Sequence, residues 1–169
     1  MSPAFLPRPA ERLSRILARP PRGAWAATAA AWAATIFLLS SRPGDPAAAK
    51  SFPIQFLHNG AHAPIYALLS GFVLLALAPR PGSVPEPGGR ALGLALLVAV
   101  LYALSDEWHQ YFVPGRTASA VDVATDAFGA TCGLAIVAWA VGRGGLRALL
   151  LATAAAAAGA ASALLAALG

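Results

Sequence analysis

The stretch "SDEWHQYFVPGR", residues 105–116, places two adjacent carboxylates, a histidine, a glutamine and an arginine directly behind an apolar run, "ALGLALLVAVLYAL". Carboxylates and histidine are acid/base and ligand groups, and a guanidinium grips anions with two parallel donors. On a helix Asp106 lies three residues before His109 and four before Gln110, and Glu107 lies three before Gln110. That spacing predicts one polar face on the last turn. Two further pairs carry the same spacing. Asp122 and Asp126 are four apart, on a face that continues to Gly129 and Gly133, while His62 and Tyr66 are four apart near the start of another apolar run. Gly129 and Gly133 form a small-xxx-small pair, which lets another helix approach closely.

The elements that position these groups follow from composition. Apolar residues make up 58% of the 169-residue chain and charged residues 11%, against about 45–50% and about 25% in soluble domains. Apolar residues in blocks long enough to cross a hydrocarbon core of about 30 Å predict an all-α polytopic transmembrane bundle. Four core spans are expected near residues 24–39, 61–78, 91 to beyond 104, and 121–141, with a fifth, alanine-rich span at 146–168. The chain divides accordingly into an arginine-rich cytoplasmic segment (1–23), a four-helix membrane domain (24–141) and the C-terminal span (142–169). An arginine-rich start before the first apolar run also fits a cleaved signal, but the length of that run and of its leader favours a retained span. The loop "APRPGSVPEPGGR" cannot continue a helix.

The net charge of +5 comes from eleven arginines and one lysine that flank the apolar blocks. This favours membrane lipid over nucleic acid as the partner. A cytoplasmic N-terminus puts nine of the twelve basic residues inside, in the direction of the positive-inside bias. All three histidines and Asp106, Glu107, Asp122 and Asp126 then collect at the outer, extracytoplasmic face. Residues 91–104 cover only about 21 Å at about 1.5 Å per residue, so the helix carries part of "SDEWHQYF" to the bilayer boundary. Ionisable groups at that depth face the bundle interior or a wet cavity, and Asp126, one turn into its span, is expected to point inward.

Plainer roles compete at each position. Trp108, Tyr111 and Phe112 have the character of an interfacial aromatic belt, Pro114-Gly115 that of a turn, and His58 that of a solvated side chain. Arg116 paired with Asp122 or Asp106 would fix the turn between two spans as scaffolding. A divalent metal held by His62, Glu107 and Asp122 is an alternative by ligand type, though no motif spacing supports it. Ser105 and Ser119 lack a nucleophile-elbow context. Cys132 is the single cysteine, so no internal disulfide forms.

The segment "SDEWHQYFVPGRTASAVDVATDAFGATCG" resembles the signature of the VanZ-like membrane proteins. In these a Ser/Asp-Glu-x-x-Gln segment is followed by Gly-Arg, an Asp and a small-residue helix. The matching positions are Ser105, Asp106, Glu107, Gln110, Gly115, Arg116, Asp122 and Gly129. A second family element, Lys-x-x-His-x-x-x-Tyr, is matched through His62 and Tyr66, with Asn59 in the lysine position. The resemblance covers roughly residues 32–141. It implies a small polytopic protein of the bacterial cytoplasmic membrane, from a family whose named member is associated with reduced susceptibility to the glycopeptide teicoplanin.

Together these readings lead to an expected outward-facing polar site that binds or acts on a lipid, a lipid-linked envelope precursor or a glycopeptide. Asp106, Glu107, His62 and Asp122 are the candidate catalytic groups, as in a membrane-embedded hydrolase or transferase. Arg116, Gln110, Tyr66, Ser105, Asp126 and His109 are the candidate ligand-binding groups. A non-catalytic scaffold that docks a partner is the alternative. A small transporter ranks third, against the absence of inverted-repeat signs and the clustering of charge at one face.

Overall fold

The structure is a computed structural model describing residues 8–44, 52–79, 87–141 and 145–168, with side chains described for 12–44, 59–79, 87–141 and 150–165. His58 lies outside the described side chains. Six helices follow in order: α1 (Arg8–Ala18), α2 (Arg22–Ser40), α3 (Phe52–Leu77), α4 (Gly89–Gln110), α5 (Ala120–Ala140) and α6 (Gly145–Leu168). Four stretches are long and apolar enough to cross a membrane: Arg22–Ser40, Asn59–Leu77, Gly89–Gln110 and Ala120–Ala140. In α6 the described apolar stretch, Leu150–Leu165, is shorter. α1 is a helix beyond the five expected. Its "RPAERLSRILA" interleaves arginines with apolar residues at a helical period, and the Trp25 indole donates to the Leu17 carbonyl at 3.3 Å.

The bundle puts small side chains inside and large apolar ones outside. On α4 the buried residues are Ala91, Ala95, Ala99 and Ala103, one every four, while Leu94, Leu97, Val98, Leu101 and Leu104 are exposed. In lipid a leucine gains little by turning inward, whereas a small-residue stripe lets helices approach and gain dispersion contacts. The stripe continues into Asp106, Glu107 and Gln110, all buried, so the polar turn faces the bundle.

α5 packs against α3 through the glycine pair. A Cβ built on Gly129 would strike the backbone of Ala63, and one on Gly133 that of Ala67. Ser70 reinforces the seam, its hydroxyl donating to the Ala130 carbonyl at 2.8 Å. α6 covers the same pair of helices, where the Ser162 hydroxyl accepts from Thr125 at 2.9 Å and donates to the Val121 carbonyl at 3.1 Å.

Arg22 at the start of α2 donates to the carbonyls of Ala76 (2.7 Å) and Leu77 (3.2 Å), the last turn of α3. A cation there satisfies orphan carbonyls and the negative end of the helix dipole. The C-terminal end of α2, the described start of α3, the C-terminal end of α4 and the N-terminal end of α5 meet at the opposite end of the bundle.

Candidate functional site

At that opposite end, α3 and α5 contribute a histidine and an aspartate to one contact. His62 Nδ1 and Asp126 Oδ1 are 3.0 Å apart, the histidine side chain 12% and the aspartate 1% exposed. Asp126 reaches this depth because Gly129, the next small residue along its face, brings α5 against Ala63, the neighbour of His62. Pro64 sits in the same turn of α3. It cannot donate to the carbonyl of Gly60, which loosens the helix ladder beside the histidine.

α4 delivers the carboxylate pair, and the two members are bound differently. Gln110 Nε2 donates to Asp106 Oδ2 at 3.0 Å and to Glu107 Oε1 at 3.3 Å. The other Glu107 oxygen accepts the Ser119 backbone N–H at 2.7 Å. Both Glu107 oxygens are therefore engaged. Asp106 Oδ1 is buried and has no partner among the described residues. Ser119 is the N-cap of α5, its hydroxyl accepting from the N–H groups of Val121 (3.2 Å) and Asp122 (3.3 Å). With Asp122 three residues on, "SAVD" has the spacing of a capping box. That spacing is the sequence signal by which the positional role of Ser119 is legible.

The loop between α4 and α5 is fastened to the end of α2. Arg116 Nε donates to the Arg42 carbonyl at 3.2 Å and its terminal nitrogen to the Leu39 carbonyl at 3.4 Å. The Gly44 N–H donates to the Pro114 carbonyl at 3.0 Å. Gly44 and Gly115 lie so close that a side chain on either would clash with the other's backbone, and Gly115 also has φ +74°. Both requirements select glycine. Two hydrogen bonds of Arg116 thus run to carbonyls at and just beyond the C-terminal end of α2.

Between α2, α3 and α4 lies a cavity of about 280 Å³. Ile36, Leu39 and Ile65 form apolar wall, His62, Tyr66 and Asp106 polar wall, and Arg42 and Arg116 bring two cations. Tyr66 is 1% exposed. Its hydroxyl is one of four buried polar atoms without a hydrogen-bond partner among the described residues, with Asp106 Oδ1, Asp122 Oδ1 and Asp126 Oδ2. Buried polar groups in proteins are satisfied in all but a few cases, so four together call for an explanation. Asp106, Asp126 and Glu107 all act electrostatically on Tyr66, and Asp122 is coupled to His62 and Arg116.

Eight of the ten candidate residues gather here: His62, Tyr66, Asp106, Glu107, Gln110, Arg116, Asp122 and Asp126. Two do not. Ser105 is exposed, and its hydroxyl donates back to the Tyr102 carbonyl of its own helix at 2.7 Å. His109 turns to α2, with Nε2 2.9 Å from the Ser41 hydroxyl and its ring 4.6 Å from that of Phe37. The reason is angular. On a helix, residues 105 and 109 lie on a different face from 103, 107 and 110. Trp108, Tyr111 and Phe112 are exposed and touch ring to ring. Among the described residues no group of three or more His, Cys, Asp or Glu side chains is arranged to hold a metal ion, so His62, Glu107 and Asp122 do not form one.

Comparison with curated proteins and with solved structures finds no match. Residues 24–141, the stretch from α2 through α5 that builds both cavity and carboxylate network, match the VanZ/LLP1 family. The chain therefore belongs to the VanZ/LLP1 family and is a multi-span membrane protein.

Proposed function

We propose that the cavity binds the polar part of a lipid or lipid-linked component of the cell envelope at the extracytoplasmic face, and that the His62–Asp126 pair handles a proton there. One observation carries this reading: a cavity at one end of a membrane bundle whose wall includes Tyr66 and Asp106, each with a buried oxygen that lacks a partner among the described residues. Ile36, Leu39, Ala61 and Ile65 give the wall an apolar side, which suits a ligand with a chain as well as a head. His62 held by a carboxylate is oriented as general bases are, and Asp106 keeps an oxygen available. The extracytoplasmic placement is supported by the opposite end, where Arg12, Arg15, Arg19, Arg22 and Arg90 are exposed in the pattern of cytoplasmic flanks.

The family association with teicoplanin supplies a readout. In a sensitive Gram-positive host, the wild-type chain is expected to raise the teicoplanin inhibitory concentration. His62→Ala and Asp106→Asn are expected to remove that increase at unchanged abundance in the membrane fraction. Full protection by both variants would overturn the reading.

A scaffold reading has its own support. Glu107, Ser119, Gln110 and Arg116 tie three helix ends together by hydrogen bonds alone. If the variants vanish from the membrane along with the phenotype, scaffolding is the better account.

A further inference from the structure

The cavity wall carries both signs of charge, and they come from different depths. Arg42 and Arg116 stand on the loops beyond α2 and α4, whereas Asp106 and Tyr66 stand within α4 and α3. Two guanidiniums against the single carboxylate of Asp106 leave one positive charge over in the wall. His62, also in the wall, forms with Asp126 a pair that is neutral when both are ionised. Asp122, outside the wall, offsets part of the Arg116 charge. The Arg42 guanidinium is exposed and has no hydrogen-bond or ion-pair partner among the described residues. A singly charged anion complements this outer side, and the paired oxygens of a phosphate match the fork of a guanidinium.

The inner side has a different requirement. Asp106 and Tyr66 are 5% and 1% exposed, and Asp106 Oδ1 and the Tyr66 hydroxyl have no partner among the described residues. An ionised carboxylate only accepts, while a phenol both donates and accepts. A hydroxyl group satisfies both. A phosphate oxygen set against Asp106 would oppose two acceptors, so the anion and the hydroxyl belong at separate ends of the occupant. At about 280 Å³ the cavity is at the small end of ligand pockets, about 300–1,000 Å³. That volume suits a headgroup whose chains stay outside.

We propose that the cavity binds a phosphodiester that carries a hydroxyl, the phosphate against Arg42 with the charge of Arg116 beside it, and the hydroxyl against Asp106 and Tyr66. The proposal rests on the reading of the cavity as a binding site for a polar head, and it names the chemistry of that head. The phosphodiester can belong to a lipid, with chains outermost, phosphate next and hydroxyl deepest, or to a small free ester with the same two groups.

The test uses the purified full-length protein in detergent, with thermal unfolding and native mass spectrometry as readouts. Three lipids of identical chains are compared: phosphatidylglycerol, phosphatidylethanol and a glucosyl diacylglycerol. The first carries a phosphodiester and hydroxyls, the second the same charge without a hydroxyl, the third hydroxyls without a charge. Phosphatidylethanol also controls for the general attraction of a basic chain to anionic lipid. The expected result is retention of phosphatidylglycerol and a raised unfolding midpoint, with the other two about tenfold weaker or more, the usual scale for a hydrogen bond to a charged group. Arg42→Gln is expected to weaken both phospholipids about tenfold and to leave the glycolipid unchanged. Asp106→Asn, whose amide oxygen serves Gln110, puts an N–H where the acceptor stood and is expected to bring phosphatidylglycerol down to the level of phosphatidylethanol. Soluble glycerophosphoglycerol as competitor separates the sources. Competition shows that the head alone suffices, and binding without competition shows that the lipid form is required.

Binding of phosphatidylethanol or of the glycolipid as tight as that of phosphatidylglycerol would overturn the proposal and leave the cavity a lipid site of other chemistry. Unchanged phosphatidylglycerol binding by Arg42→Gln would overturn it as well, since the anion would then be held elsewhere. Retention of no lipid and no soluble head by the wild type would overturn both readings. The three-lipid comparison needs no substitution, so it stands even if a variant fails to fold.

Discussion

Two neighbouring carboxylates do different work. Glu107 is held at both oxygens, by Gln110 and by the N-cap of α5, whereas Asp106, in the cavity wall, has one oxygen bound and one without a partner among the described residues. Replacing Glu107 by Gln puts an N–H where an acceptor is needed, so either Gln110 or Ser119 loses its partner. Glu107→Gln is therefore expected to lower stability by about 1.5–3 kcal/mol, the scale of a charge-assisted hydrogen bond, seen as a lower unfolding midpoint in detergent. Asp106→Asn retains the Gln110 bond and is expected to leave the midpoint nearly unchanged while abolishing teicoplanin protection. The reverse order of effects would refute this division of labour. The adjacency of the two acids is legible in "SDEWHQ". Their unequal roles are not, because they depend on which neighbour arrives from another helix.

Helix ends and helix seams govern the next scale. Ser119→Ala removes the N-cap of α5 and is expected to cost about 1 kcal/mol, loosening the turn on which Glu107 and Asp122 depend. Circular dichroism melting of the reconstituted protein would register it. The α3–α5 seam is more sensitive. Gly133→Val would push a branched side chain into the Ala67 backbone and is expected to cost at least about 1–3 kcal/mol, with loss of a monodisperse peak on size exclusion. Gly93 is the control, since a Cβ there meets nothing within 4 Å, and Gly93→Val should be tolerated. The glycine pair stands out in sequence by its four-residue spacing. The capping box "SAVD" and the helical period of α1 are equally local signals. The pairing of Gly115 with Gly44 has no local signal, because the two glycines lie on different loops and become close only when α2 and α4 pack.

For the whole molecule, alternation of the spans gathers the polar groups of three helices at one end of the bundle and the exposed Arg12, Arg15, Arg19, Arg22 and Arg90 at the other. Positive-inside bias then predicts that the cavity faces outward. In a Cys132→Ala background, Thr117→Cys on the cavity-side loop is expected to react with a membrane-impermeant maleimide in intact cells. Arg90→Cys at the far end is expected to react only after permeabilisation. Labelling in the opposite sense would invert the topology and remove the extracytoplasmic reading.

Membrane class, the positions of the four long spans and the end at which each polar cluster lies were readable from composition and block length. Each depends only on the free energy of placing a segment in hydrocarbon and on a rise of about 1.5 Å per residue. Which side chains touch was a separate matter. That His62 meets Asp126, that Glu107 meets the N-cap of α5, that Arg116 reaches back to α2 and that His109 turns away all follow from helix rotation and crossing. Those are set by small-residue contacts such as Gly129 on Ala63, between residues far apart in the chain, and a one-dimensional pattern carries no term for the angle at which two helices meet.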